Sequence, residues 1–318
     1  MSKAIFIEGV SPKGHTVFTQ AFLNLLSNDD GVLYIGRTLN GCLSFSGETI
    51  EFDDSFLLRS RLQHAIGCIF YSIKAINKAK NKQADKIYLM SYDIISIPII
   101  SFLCFVFGIK LYAFEHNTVP QSFFKKMLQF LAFNVRRICF TPKAKEIYES
   151  MGQKAYLISL PFNEKPISLK VDQEEKYVFC PSASVSICDV ITYVEINSEF
   201  LFYVKSNEKY SKKKNMIVRK YFDSYEEMLF NSKAIYVPIT SVLRMSGPVI
   251  DAISYGKPVV MRKTSLSIYL KRIYPGFIYF DEKPLSEILD EFSIARKVNL
   301  KELNSNVRDC LNEIVNKK

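Results

Sequence analysis

The sequence predicts an α/β protein built as two Rossmann-like domains facing a cleft. Two observations lead there. Short apolar runs alternate with helix-period segments along nearly all of the 318 residues, and such alternation implies mostly parallel sheets covered by helices on both faces. Near the middle, PFNEKPISLKVDQEEK breaks the alternation with two prolines, several charges and little apolar periodicity. It reads as a linker, after which the pattern restarts. A chain of this length can give each half its own core.

In the first half, strand-length apolar runs fall at Ala4–Glu8, Gly31–Ile35, Lys86–Met90, Lys110–Phe114, Arg137–Thr141 and Ala155–Leu160, the last stopped by Pro161. Helical spacing of apolar residues predicts helices at His15–Ser27, Ser55–Lys80, Ile94–Phe107, Gln121–Phe133 and Ala144–Met151. The run IISIPIISFLCFVFGI, Ile94–Ile109, is apolar enough to suggest a membrane span. At about 16 residues it is shorter than the roughly 20 a spanning helix needs. Strands abut it on both sides, so it reads as a buried helix.

The second half offers strands at Tyr177–Cys180, Glu199–Val204, Met216–Tyr221, Ala234–Val237, Lys257–Met261 and Phe277–Phe280. A Ser224…Glu227 capping box opens a helix over Ser224–Asn231. Further on, Ser246 can cap a helix, Pro248 suits its first turn, and Gly256 supplies the left-handed stop. Helices near Pro284–Lys297 and over Leu300–Asn316 close the chain. The expected division is 1–163, 172–300, and a C-terminal helix over 301–318.

A formal charge of +10 points to anionic partners: nucleic acid, a membrane surface or phosphorylated small molecules. No RNP stretch, zinc finger or Arg-rich tail is present, so no nucleic-acid partner is expected. The seven cysteines are scattered, with no CxxC and no Cys/His ligand spacing, which predicts reduced thiols in a cytoplasmic protein. The start, MSKAIFIEGV, lacks a signal-peptide layout. The segment SFFKKMLQFLAFNVRR sets Phe123, Phe124, Met127, Leu128 and Phe130 beside Lys125, Lys126, Arg136 and Arg137. It is either an ordinary amphipathic surface helix or one lying on anionic lipid, and the overall charge favours lipid.

Familiar catalytic signatures are missing. The first strand is followed by GVSPKGH, not GxGxxG, and no Walker A, HExxH or GxSxG sequence occurs. Asp53 and Asp54 read as surface carboxylates before a helix rather than a metal pair, and no metal site is expected. Of the three histidines, His64 sits in the polar-rich helix RSRLQHAIG and reads as structural. His15 follows Gly14 in the first strand-to-helix loop, at the carboxyl edge where α/β sheets bind ligands. His116, in FEHNTVP, is again at a carboxyl end, as a cleft residue or a satisfied loop histidine; its position favours the cleft.

The stretch RMSGPVIDAISYGKPVV, residues 244–260, carries the strongest signal. Ser246 and Gly247 immediately precede a helix, so free N–H groups and the helix dipole face whatever lies beyond. Gly247 allows close approach to the backbone, Arg244 can pair with a phosphate, and Asp251, one turn in, can accept bonds from paired sugar hydroxyls. Together these suit a nucleotide-sugar diphosphate.

The layout YFDSYEEMLFNSKAIYVPITSVLRMSGPVIDAISYGKPVV resembles the donor-binding region of GT-B glycosyltransferases of the Glu-x7-Glu group. KIYLMSYDIISIP…IKLYAFEHNT and CFTPKAKEIYESMGQKAYLISLPF are similar to that family's N-terminal units. The resemblance implies that Asp251 stands at the second acidic position, holding the donor ribose. It also implies that Ser246 and Gly247 contact the donor sugar and phosphates, and that His116 lies near the transferred sugar. Leu243 occupies the position of the first Glu, and FCPSASVS offers only hydroxyls where the family has an Arg/Lys pair. Lys205 and Arg244 are the cations left to replace it.

The site expected from the resemblance is therefore His116 and Asp251 as catalytic residues, Arg244, Ser246, Gly247 and Lys205 for the donor, and Gly14 and His15 on the acceptor side. The implied activity is a retaining hexosyltransferase that needs no cofactor. It would move a sugar from a nucleotide-sugar donor to a lipid-linked or saccharide acceptor in bacterial O-antigen or capsule synthesis, peripheral to the inner face of the cytoplasmic membrane. A non-catalytic GT-B-like subunit and a nucleotide-sugar epimerase of the same fold are the alternatives.

Overall fold

A computed structural model describes residues 3–9, 16–26, 31–39, 41–55, 60–116, 119–120, 122–162, 177–182, 186–208, 214–294 and 299–316. Its first sheet contains β1 (Ala4–Glu8), β2 (Val32–Gly36), β3 (Glu48–Phe52), β4 (Lys86–Ser91), β5 (Lys110–Glu115), β6 (Val135–Cys139) and β7 (Ala155–Leu157). These pair in the order β3-β2-β1-β4-β5-β6-β7, with parallel ladders throughout. The second sheet contains β8 (Tyr177–Cys180), β9 (Leu201–Lys205), β10 (Met216–Arg219), β11 (Ala234–Val237), β12 (Val259–Met261) and β13 (Ile278–Phe280). Its order is β10-β9-β8-β11-β12-β13, again parallel. Central strands such as AIFIE of β1 and AIYV of β11 are buried at every position, as helices on both faces require.

The first sheet is accompanied by α1 (Thr16–Leu26), α2 (Arg61–Lys82), α3 (Ile97–Val106), α4 (Phe123–Leu131) and α5 (Pro142–Ser150). With the second come α6 (Ile187–Ile196), α7 (Tyr225–Asn231), α8 (Gly247–Ser254), α9 (Ser265–Ile273) and α10 (Leu285–Ile294), and α11 (Leu300–Asn316) follows. Two compact units result, Met1–Pro161 with Ser305–Lys318, and Phe162–Asn304. The end of α11 is tied to the first unit by the Tyr112 hydroxyl, which donates to the Val315 carbonyl at 3.3 Å, and it buries Val307, Leu311, Ile314 and Val315. Among the described residues no helix is long and apolar enough to cross a membrane.

In both sheets the strand order reverses beside the first strand, between β1 and β4 and between β8 and β11. That reversal opens a crevice at the carboxyl ends of those strands, the usual ligand position in open α/β sheets.

Several elements differ from the sequence reading for local reasons. β3 was not expected; ETIEF buries only Phe52, so an edge strand lacks the apolar run of a central one. α6 and α9 were not expected either. The β-branched residues of ICDVITYVEI favour a strand by propensity, yet Ser186 caps a helix that buries Ile187, Val190, Tyr193 and Val194 on one face. A Thr264–Ser267 capping box starts α9. α2 begins at Arg61, behind a Ser60–Gln63 capping box, rather than at Ser55. Ser224 sits at the start of α7 but its side chain makes no capping bond, so the expected Ser224…Glu227 box does not form.

The largest correction concerns the two arginines after α4. Arg137 lies within β6 and is fully buried, paired with Glu115 at 3.0 Å. Its guanidinium also donates to the Tyr92 hydroxyl at 2.9 Å and to Gln153 Oε1 at 2.9 Å, while Tyr148 donates to Glu115 at 2.6 Å. Arg136 is partly buried over the Tyr112 ring and donates to its hydroxyl at 3.0 Å. Of the four cations expected beside the apolar face of α4, Lys125 and Lys126 alone are exposed.

Candidate functional site

In the second unit the chain leaves the carboxyl end of β11, beside the crevice, and enters α8 through residues 238–246. Ser246 occupies the helix cap with extended backbone (φ −92°, ψ 123°), but its hydroxyl makes no capping bond. Gly247 is the first helical residue and is exposed. A Cβ placed on it would meet nothing within 4 Å, and its φ lies outside the left-handed region. Neither packing nor backbone geometry requires a glycine there. Arg244 is exposed two residues before the cap.

Burial of Val249, Ile250, Ala252 and Ile253 fixes α8 against its sheet. Gly256 (φ 68°) ends it in a Schellman motif: the Lys257 amide donates to the Ala252 carbonyl at 2.9 Å, and that of Gly256 to Ile253 at 2.9 Å. One turn in, the half-buried Asp251 accepts a 3.1 Å hydrogen bond from the Tyr225 hydroxyl of α7. Burial and the adjacent carboxylate push the Tyr225 phenol well above its ordinary range, so it stays a donor.

The connection from β8 to α6, on the other side of the crevice, holds a feature the sequence reading missed. The first amide of α6, that of Ile187, donates to Glu208 Oε2 at 3.1 Å, and the Glu208 amide donates to Ser206 Oγ at 3.1 Å. A carboxylate thus sits where helix geometry favours an anion. Lys205, half-buried, ends β9. One strand separates β9 from β11, so their ends lie two strand spacings, roughly 10 Å, apart.

Arg262, directly after β12, was also missed, although a cation behind the apolar run VVM was a signal. It pairs with Asp189 Oδ1 at 2.9 Å, donates to the Asp189 carbonyl at 3.1 Å and lies 3.9 Å from Asp281 Oδ2. Tyr236 donates to the same Asp281 oxygen at 3.0 Å. Burial raises the Asp281 carboxyl above the usual carboxylate range, against the pull of Tyr236 and Arg262. Arg262 therefore ties the start of α6 to the ends of β12 and β13.

In the first unit His116 directly follows β5, half-buried, with its ring edge-on to Phe18 at 3.8 Å and 5.3 Å from Phe140. Glu8, missed by the sequence reading although it ends the first strand, is buried at the crevice between β1 and β4. It accepts from Thr19 Oγ1 at 2.7 Å and from the Ser91 hydroxyl. Gly14 and His15 lie outside the described residues. Asp53 and Asp54 have separate structural partners: Asp53 accepts from the Ser55 amide at 3.0 Å, and Asp54 from the Thr38 amide at 3.1 Å. The structure thus gathers Arg244, Ser246, Gly247 and Asp251 around one helix start, with Lys205 at a nearby strand end, whereas His116 belongs to the first unit.

Neither protein-family profiles nor curated protein sequences match this chain. Solved structures do. HepE of Anabaena, in complex with UDP-glucose, superposes with a TM-score of 0.64 at 13% identity, covering 98% of this chain and 100% of that one. The lipopolysaccharide outer core galactosyltransferase WaaB gives 0.58 at 12% identity, with 99% of each chain covered. A UDP-N-acetylglucosamine 2-epimerase from Rickettsia bellii gives 0.57 at 10% identity, covering 99% of this chain and 96% of its own. Two parallel sheets with this strand order, matched over nearly the whole length of such structures, give the chain the GT-B fold.

Proposed function

We propose that the protein is a retaining glycosyltransferase that binds a nucleotide-sugar through its second unit and passes the sugar to a lipid-linked saccharide of a bacterial surface polysaccharide. The observation that carries this reading is Gly247: an exposed glycine opening a helix at the carboxyl edge of the sheet, which neither packing nor φ demands. A bare backbone there leaves room for a diphosphate on the helix amides. The likeness to structures that hold UDP-glucose or carry a galactosyltransferase name supports the same ligand class.

In this reading Arg244 and the amides after Ser246 stabilise the charge that grows on the leaving diphosphate, with Lys205 as a second cation. Asp251 accepts from the ribose, and His116 serves the transferred sugar. The chemistry is electrostatic and needs no metal, so turnover is expected to survive EDTA. The acceptor is reached at the inner face of the cytoplasmic membrane.

The test uses Gly247→Ala and Gly247→Val. Gly247→Ala should melt at or above the wild-type temperature, because the added carbon meets open space and glycine is a poor helix residue, and melting of Gly247→Val is measured beside it to show that it folds. UDP and UDP-glucose titrations should show at least tenfold weaker binding for the valine variant. Undiminished binding by Gly247→Val would remove the helix start from the site. The likeness to an epimerase keeps one second reading: a sugar altered in the absence of any acceptor would favour it.

A further inference from the structure

Among the nine residues of α4, FFKKMLQFL, Gln129 is the one that is buried. A helix this short is not stable alone and is ordinarily held by burying its apolar face. Here Phe123 is 85% and Phe130 66% exposed, with Phe124, Met127 and Leu131 also outward. The neighbouring α3 turns Phe102, Phe105 and Val106 to the outside, and Phe105 meets Phe133 edge-on at 5.2 Å, joining the two surfaces. Between them lies a pocket of about 600 Å³ walled by residues such as Ile99, Phe102, Leu103, Phe130 and Leu131. With about 200 Å² to an aromatic side chain, the six phenylalanines that are more than half exposed here leave roughly 750 Å². That exceeds the patch of about 300–600 Å² a soluble monomer normally shows.

Charge decides what covers it. α2, packed against α3, adds the exposed row Leu62, Ile66 and Phe70. Across α2, α3 and α4 there is no Asp or Glu, in a chain that has 32 acidic residues. Their cations include Lys125 and Lys126, Lys74 lying 4.5 Å over the Phe70 ring and Lys80 lying 5.2 Å over Phe107. Lysines set against exposed aromatics, without an acid among them, suit an apolar interior under an anionic surface.

We infer that the outer face of α2, α3 and α4 seats in the interface of an anionic bilayer by insertion of its phenylalanines, and that the groove between α3 and α4 takes one hydrocarbon chain. This names the surface by which the lipid-linked acceptor of the proposed function would be met, and its purpose rests on that reading.

The full chain is tested by flotation with vesicles of phosphatidylcholine and phosphatidylglycerol at a 7:3 ratio, and with pure phosphatidylcholine. Wild type should float with the mixed vesicles. Lys125→Gln with Lys126→Gln should weaken that binding roughly thirtyfold, and Phe102→Asp with Phe130→Asp should abolish it. Because the chain has no tryptophan, Phe130→Trp gives a reporter that does not depend on a disruptive variant. Its emission should shift to the blue and be quenched by brominated acyl chains. Failure of wild type to float, together with unquenched emission, overturns the inference. So does a dimer that Phe130→Asp dissociates, which would make a second copy the occupant. UDP titrations on the same samples separate the two proposals: vesicle binding without UDP binding removes the glycosyltransferase reading alone, and the reverse removes this one.

Discussion

The Tyr225 phenol donates a 3.1 Å hydrogen bond to Asp251 Oδ2, joining α7 to the first turn of α8. It fixes one carboxylate oxygen in a helix whose start is otherwise open. Removing the hydroxyl in Tyr225→Phe should cost about 1 kcal/mol of stability. If Asp251 accepts from a ribose, the same variant should also bind UDP several-fold more weakly, with a smaller loss for 2′-deoxy-UDP. Equal losses for both nucleotides would make the bond purely structural. Asp251→Asn is the companion: UDP affinity should fall roughly ten- to a hundredfold, as expected for a hydrogen bond to a charged group, with little change in melting.

Arg244 is exposed, so its replacement should leave the fold intact. Arg244→Ala should lower kcat/KM by at least tenfold, and Arg244→Lys should restore only part of it, because a point charge replaces a two-pronged donor. Turnover equal to wild type in the alanine variant would move the phosphate clamp elsewhere, with Lys205 the next residue to replace.

The buried pair Glu115–Arg137 gives a prediction about stability alone. Glu115→Gln leaves the Arg137 guanidinium, fully buried, without a counter-charge. Urea unfolding should show a loss of about 3–5 kcal/mol. A loss below about 1 kcal/mol would mean that Tyr92, Tyr148 and Gln153 satisfy the cation by themselves.

Thiol chemistry checks burial residue by residue. Cys42, Cys188 and Cys310 are exposed, whereas burial pushes the Cys68, Cys104 and Cys180 thiols up to about 12 and raises Cys139 as well. At pH 8 a pKa of 12 leaves only about one thiolate in ten thousand. Native protein should react with three equivalents of a disulfide reagent, and unfolded protein with seven. A fourth fast-reacting thiol in the native state would contradict the packing.

The buried strands were legible because apolar runs such as AIFIE and AIYV leave few alternatives, and the end of α8 was legible because its left-handed φ falls on a glycine, Gly256. ETIEF was not, since an edge strand has one face to pack and reads as loop. The start of α8 was recognisable because its chemistry is contiguous in sequence. Tyr225, Glu208 and Arg262 were not, because each finds its partner through the fold: Tyr225 is 26 residues from Asp251, and Arg262 is 73 from Asp189. Arg137 misled for a related reason. Beside Arg136 it looks like half of a basic surface pair, and only the alternation of a strand turns one inward.

The hydrogen bond from Tyr112 to the Val315 carbonyl spans 203 residues. During synthesis on the ribosome the first unit emerges first, yet the segment that completes it follows all of the second. At about 5–20 residues per second, roughly 140 intervening residues take on the order of 7–30 s. For that interval the first unit lacks the segment carrying Val307, Leu311, Ile314 and Val315, while the second is a continuous segment that can close at once. The two are nested rather than strung in series. The nascent chain therefore finishes its second domain before its first.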